Sequence, residues 1–577
     1  MLITILCWIY IFFVSLIIGL AVNRLLSKLI PVPSKDSFGV TGYLVTGIVA
    51  LTVYAETFSI FYKIGAVCHL IMLAGAGVAA FVFRKELCEL LEFFWNRLVG
   101  ESSPVSDRQR RLVVFALIVL GAAFFTSRGS FHTDTGIYHA QAIRLIEEYG
   151  VIKGLGNLQL HFAYNSSYLS LCAMFTMGFM LPEKLHLHTM TGFFMVVFCC
   201  YAVHGLLRVR EHKRHGGDFA RIAILLYGLT NMTGLQSPAT DYGTMFMVLY
   251  ILTAWISYAE EHEDETEDIA YYGYLAVLSI FTVSMKLSAA LLVLLAILPF
   301  IRLVQRKMWK ELSFFLIIGF VSFLPYLVRN VIISGWLFYP VAAIDLFDVV
   351  WKIPREYMEV DATQIKVWAR CLFDVTRVDD GISTWFPVWW ENRTHFEEML
   401  MYSEIVGAAL LVFNTVHRIK EKSLDLAWIV FQATVILNIF LWFFTAPFVR
   451  YGLAFLFLLP LCAVGDALSM ISKKNLVAIA LSALICINFF SWIDNYFTDC
   501  MVFVKQNVLS GYYIAPVPFD EGHMTPVEQD GCTFYIAGLD EVNSYYTFPG
   551  TCYEDMLYRS ELIGSKIEDG LKPKSVE

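Results

Sequence analysis

About fourteen stretches of this chain are apolar over roughly 15 to 23 residues, long enough to cross or nearly cross the hydrocarbon core of a bilayer. They fall near 2–22, 38–60, 64–83, 111–127, 186–207, 221–236, 241–259, 272–286, 288–302, 311–331, 401–416, 425–446, 452–470 and 475–496. Lipid offers no water to backbone N–H and C=O groups, so a spanning segment must be a helix or part of a closed barrel. Runs this long without strict alternation read as helices. The fold class that follows is an all-α polytopic membrane protein. With 58% hydrophobic and only 16% charged residues, a soluble domain is excluded. The first run, Leu2 to Val22, has neither a basic start nor a small-residue cleavage site, and reads as a retained span.

Positive charge orients the spans. Basic segments stand at 84–111, 208–221 ("RVREHKRHGGDFAR"), 302–310, 417–422 and 472–475, and all belong on the cytoplasmic side. They share that side only if the further apolar run Leu160 to Leu181 does not cross, which predicts an interfacial or re-entrant segment there. Both termini then face outward, with loops 128–185 and 332–400 and the turn "APFVRYG" (446–452). The acidic run "EEHEDETED" (260–268) falls inside as a solvated loop. The net charge of −9 carries no nucleic-acid signal, because Lys and Arg are sorted by membrane side rather than gathered in a patch. Loop 332–400 holds Trp351, Trp368, Trp385, Trp389 and Trp390, which predicts short helices lying at headgroup level.

Of twelve cysteines, most lie in apolar runs, where Cys behaves as a small hydrophobe, and none forms a metal-ligand pattern. Cys532 and Cys552 lie instead in the polar, Gly/Pro-punctuated tail. In an oxidising compartment they are expected to form a disulfide remote from any chemistry, stabilising the tail by about 3 kcal/mol.

The most unusual polar stretch is "SRGSFHTDTGIYHAQAIRLIEEYG", Ser127 to Gly150, placed directly after a span. Thr133 or Asp134 can cap a helix from about Gly136 to Tyr149, stopped by Gly150. Ile137, Ala142, Ile143, Ile146 and Tyr149 share a face, with His139, Arg144, Glu147 and Glu148 largely elsewhere, as in an interfacial amphipathic helix. Asp134 is then either a helix cap or a general base held where an acceptor hydroxyl can reach it. Other ionisable groups stand at outward span ends: Asp241 in "SPATD", Lys286 in "SMKLSA", Arg329 in "LVRNVIISGWLFYP", and Arg450 with Tyr451 in "APFVRYG". Each alone reads as an interfacial anchor. Together, two acids and three cations suit an anionic headgroup beside an activated nucleophile.

An Asp in the first large outer loop, followed in order by the "SPATD" turn, the lone Lys, the "RNVIISGWLFYP" segment and the "APFVRYG" turn, resembles the GT-C superfamily of membrane glycosyltransferases. The stretch "DTGIYHAQAIRLIEEYGVIKGLGNL" is similar to a family of bacterial membrane proteins with no assigned substrate. The likeness spans roughly 111–460. It implies a catalytic membrane module at 111–497, additional amino-terminal spans at 1–110, and an outward tail at 498–577. It further implies a bacterial inner-membrane enzyme, facing outward, that transfers sugar from a polyprenyl-phosphate donor to a glycan, lipid or protein acceptor. Asp134 would be the base and His132 its neighbour in the catalytic pair. Arg450, with Lys286 or Arg329, would hold the leaving phosphate, and Asp241, Tyr451 and His139 complete the substrate-binding set. Many relatives carry two adjacent acids in this loop; "HTDTG" has His132 in place of one, so no metal or other cofactor is expected.

Two other classes share features with this chain. A polysaccharide polymerase or ligase uses several loop arginines, and Arg355, Arg370, Arg377 and Arg393 are present in loop 332–400. A transporter or flippase would show repeated halves and midplane charges; no repeat is visible, and the charges stand at span ends.

Overall fold

Helices stand at all fourteen apolar runs in the computed structural model of the protein, which describes residues 1–99, 105–129, 133–182, 185–261, 265–470, 474–507, 511–518, 523–537 and 545–574. They are Leu2–Leu26, Lys35–Phe61, Ala66–Val82, Val105–Thr126, Met190–Leu206, Gly216–Thr230, Thr240–Glu261, Glu265–Met285, Ile297–Gln305 (continuing a tighter turn, Leu287–Ala296), Trp309–Ser334, His395–Lys420, Leu426–Thr445, Val449–Ser469 and Lys474–Asn507. Among the described residues, nine helices are long and apolar enough to cross a membrane. Ala66–Val82 with Arg84–Arg97 makes a further candidate, bent by 88°. Two more, Met190–Leu206 and Ile269–Met285, are apolar but shorter. The chain is an all-α multi-pass membrane protein, apart from strands in its carboxyl-terminal appendage.

Local signals explain several boundaries. Ser34 accepts from the Ser37 amide, Asp425 from the Trp428 amide, and Thr394 with Glu397 forms a capping box. The first two helices pack through glycine. A Cβ on Gly19 would lie 1.9 Å from the Tyr43 carbonyl oxygen, and one on Gly47 1.8 Å from that of Ser15. Small residues are what let two membrane helices approach this closely. These helices are not a separate body: Thr4 hydrogen-bonds Ser127 at 2.8 Å, Trp8 donates to the Thr189 carbonyl at 2.9 Å, and both helices share the main apolar core. Thr240–Glu261 runs through the centre of the bundle, with 89% of its apolar window buried.

Contacts between segments gather helix ends into two groups. At one end, the Met1 amine reaches the Tyr512 carbonyl, Val151 pairs with Ser59, Gly154 with Ile332, and Val517 with Ser127. At the other end, Asp218 accepts from His212 and His215 (2.8 Å each) and from Arg221 (2.9 Å). Arg221 also meets Glu261 at 3.2 Å, and Glu260 accepts from the Gly216 and Gly217 amides. Arg418 and Trp428 both donate to Asp466. Glu260 and Glu261, at the start of the acidic run, are thus tied to the basic segment 208–221 and are not simply solvated.

The run Leu160 to Leu181 holds no helix long enough to cross. It divides into a short turn, Leu160–Tyr164, and an eight-residue helix, Ser167–Met174, whose residues are all buried. Eight residues span about 12 Å, far short of a bilayer core. Loop 332–400 does carry short helices, Arg355–Ala369 and Ile382–Glu391. Its tryptophans are not all headgroup anchors. Trp385 and Trp389 are buried, Trp389 donates to the Pro447 carbonyl at 2.8 Å, and Trp351 donates to that of Val331 at 3.0 Å. An indole N–H can be satisfied by a carbonyl inside the protein as well as by the headgroup layer.

The last helix extends to Asn507, so the appendage starts later than residue 498. In it β1 (Met524–Gln529) pairs antiparallel with β2 (Cys532–Ala537), and β3 (Gly550–Thr551) pairs parallel with β2. β4 (Ser560–Leu562) pairs antiparallel with β5 (Leu571–Pro573). Tyr535 stands opposite Gly550, so Cys532 and Cys552 are five register positions apart, about 16 Å along the strands. No disulfide can close that gap, and the two are not joined. Cys532 instead faces the Ser565 carbonyl, and Cys552 that of Ile137.

Candidate functional site

Asp241 lies in the first turn of the central helix, after a Pro-containing turn in which Ser237 accepts from the Ala239 amide. Lys286 directly follows the helix that ends at Met285. Its backbone is extended (φ −162°, ψ 133°), which breaks the helix and frees the side chain to reach across. Its ammonium donates to Asp241 Oδ1 and sits 4.1 Å from the Tyr451 ring centroid. Arg450 occupies the second position of Val449–Ser469. Its guanidinium meets Asp134 Oδ2 at 2.8 Å and Asp241 Oδ2 at 3.8 Å, and donates to the Tyr451 hydroxyl at 3.2 Å. Four chain segments thus deliver two carboxylates and two cations to one point.

Asp134 makes no capping bond to the helix that follows it. The chain enters a π-helical turn, Thr135–His139, before settling into Ala140–Glu148. Such wide turns are frequent at functional sites. Thr135 hydrogen-bonds Ser237, which ties this turn to the one before Asp241. The helix stops where predicted: Gly150 has φ +78°, and a Cβ there would lie 2.6 Å from the Ser59 carbonyl oxygen.

The cluster is partly exposed. The side chains of Asp134, Lys286 and Arg450 are 23%, 25% and 28% exposed, against 8% for Asp241. Asp241 is the buried anchor and Asp134 the accessible carboxylate. The buried Tyr138 hydroxyl is held well above its usual pKa by burial and by Asp134 and Asp241, so it stays a neutral donor.

The structure thus brings together Asp134, Asp241, Lys286, Arg450 and Tyr451. Arg329 is elsewhere: its guanidinium donates to Asn165 Oδ1 at 2.9 Å and to the Ser59 hydroxyl. A cation sunk among protein groups in this way is committed to packing rather than to a leaving group. His139 is 1% exposed and lies against Tyr138, ring centroids 4.1 Å apart. His132 lies outside the described residues. Among the described residues, no group of three or more His, Cys, Asp or Glu could hold a metal ion. The four loop arginines are occupied locally: Arg355 by Glu359, Arg370 by the Val378 and Phe444 carbonyls, Arg377 by Asp380 and Arg393 by Glu397.

The helix Ala140–Glu148 does not lie on lipid as an interfacial helix would. The appendage covers its polar side. Gln141, fully buried, donates to the Thr547 carbonyl at 2.8 Å and accepts from the Gly550 amide at 3.0 Å. Glu147 accepts from the Thr176 and Tyr545 hydroxyls. Gln159 donates to the Ile137 carbonyl inside the π-turn and accepts from the Cys552 amide. The tail is therefore not remote from the site. From it comes Tyr553, stacked on His161 (5.5 Å, 17°), which is stacked in turn on Tyr138 (5.2 Å, 27°). Sequence reading missed these rings, since nothing in a polar tail marks one tyrosine as facing a span end. The polar residues of "LQLHFAYN" inside an otherwise apolar run were the available hint for His161.

The family described as a domain of unknown function (DUF8201) matches residues 1–457, and the chain belongs to it. That match includes the first helices and the whole ion cluster, and ends before the appendage. No curated protein and no solved structure matches the chain.

Proposed function

We propose that this member of the DUF8201 family is a GT-C-like glycosyltransferase of the bacterial inner membrane. It would have about fourteen spans and take sugar from a polyprenyl-phosphate donor at the outer face. The observation that supports this most is the convergence of Asp134, Asp241, Lys286 and Arg450, drawn from four separate segments, at one end of an apolar bundle. Two carboxylates balance two cations, so an incoming phosphate meets no net repulsion from the cluster.

In this reaction the acceptor hydroxyl oxygen attacks the anomeric carbon. The bond from that carbon to the phosphate oxygen breaks, and the electron pair leaves with the polyprenyl phosphate. Asp134 takes the hydroxyl proton, as a fixed carboxylate within reach of the acceptor can. Arg450 and Lys286 meet the charge growing on the phosphate, where a preoriented cation contributes most. Asp241 binds both cations and sets their spacing.

Asp134→Asn tests the reading. Asn keeps the shape of the side chain but cannot take the proton, so transfer from a polyprenyl-phosphate sugar pool in membranes should fall about a hundredfold or more at matched protein level. Full activity in that variant would remove Asp134 as the base.

A further inference from the structure

We propose that the carboxyl-terminal appendage builds the acceptor side of this site, with Tyr553 as the ring on which a pyranose lies, so that the acceptor is a saccharide rather than a protein or a simple lipid. The proposal rests on the glycosyl-transfer reading above and narrows its substrate class.

Four observations carry it. First, the rings of Tyr553, His161 and Tyr138 form a ladder from the appendage down to the π-turn behind Asp134. Second, the ladder reaches Tyr138, on the π-turn that directly follows Asp134, whereas the ring beside Lys286 is Tyr451. The cation side is taken by phosphate, which leaves the aromatic side for the acceptor. Third, Tyr553 is half-buried, with one face against His161, so part of the ring stays open. Fourth, the backbone that presents it is pinned. The Tyr553 amide donates to Thr551 Oγ1 at 3.0 Å, the Cys552 amide to Gln159 Oε1 at 3.2 Å, and Thr551 Oγ1 to Gln159 Oε1 at 3.2 Å. A ring held this way loses little freedom when a ligand arrives.

The chemistry suits a sugar. A pyranose has an apolar face of C–H groups and a rim of hydroxyls. An aromatic face takes the first, and fixed polar groups nearby take the second.

Saturation-transfer NMR on the full-length protein in nanodiscs, without sugar-based detergent, tests this with methyl glycosides of glucose, galactose, mannose, rhamnose and N-acetylglucosamine as probes. Ring protons of at least one probe should receive saturation in the native protein and in Tyr553→Phe and Tyr553→Trp. Tyr553→Ala and the volume-filling Tyr553→Leu should each weaken binding tenfold or more while their melting temperatures match the native protein. No binding by any probe, or unchanged binding in the Leu variant, overturns the proposal. The two readings separate cleanly. Tyr553-dependent binding beside a fully active Asp134→Asn keeps the sugar site and removes the base. Loss of transfer in Asp134→Asn without Tyr553 dependence does the reverse.

Discussion

Arg450 is the residue on which the cluster turns, because it touches both carboxylates and the Tyr451 hydroxyl. Arg450→Ala should weaken donor binding, and should lower kcat as well if the phosphate contact tightens in the transition state; steady-state kinetics against donor concentration separates the two. Asp241 acts through the cations. Asp241→Asn removes the charge that holds Lys286 and part of that holding Arg450, so KM for donor should rise while the protein still folds. An unchanged KM would show that the cations are placed without it. These positions were legible in the sequence because an ion next to a long apolar run stands out by composition alone. Arg329 stood out for the same reason and proved to serve packing, since composition marks a buried charge without saying which partner neutralises it. Tyr553 and His161 could not be read this way, because their importance comes from what lies opposite them.

At the scale of elements, the helix Ala140–Glu148 and the appendage form a clamp that is expected to loosen as pH rises. Burial pushes the Glu147 carboxyl up from its ordinary 4.5 to about 7, opposed by the Thr176 and Tyr545 hydroxyls and by Arg144. A carboxyl whose pKa is raised in the folded state favours folding below its unfolded value, and that contribution is lost as pH rises through about 7. His186 and His188, pushed down by burial to about 4 and 3, stay neutral across this window, and Arg144 stays paired with Glu148 at 2.7 Å. Amide protection factors in residues 545–574, corrected for the base-catalysed intrinsic rate, should therefore fall between pH 4.5 and about pH 7, and Glu147→Gln should flatten that fall. Protection factors that stay constant over this range in the native protein would remove Glu147 as the sensor. The stop of this helix was readable from Gly150, whose lack of a side chain is required locally. The π-turn was not readable, because it is set by the pull of Ser237 and Gln159 from distant segments.

For the whole molecule, the ends of the helices sort into a site end and an opposite end tied by buried ion pairs. Arg418 and Asp466, with side chains 7% and 3% exposed, form one of these. Arg418→Met would leave Asp466 buried without its cation, a loss of about 3–5 kcal/mol, visible as a lower melting temperature. The site end is proposed to face outward. Cysteines placed at Asp379 and Glu528, in a background lacking accessible native cysteines, should react with an impermeant maleimide on intact cells, and those at Lys213 and Lys307 should not. The opposite pattern would place the cluster on the cytoplasmic side.

The sequence by itself determined where the helices lie and that ionisable groups stand at their ends. Apolar length and charge asymmetry are local properties that a bilayer reads segment by segment, so they survive without any knowledge of packing. Only the tertiary structure decided which ions meet, that Cys532 and Cys552 stand too far apart to join, and that the tail comes back over Asp134. Those outcomes depend on strand register and on hydrogen bonds between residues about four hundred positions apart, such as Gln141 with Gly550. A chain encodes such pairings in the complementarity of two surfaces, and neither surface carries the information alone.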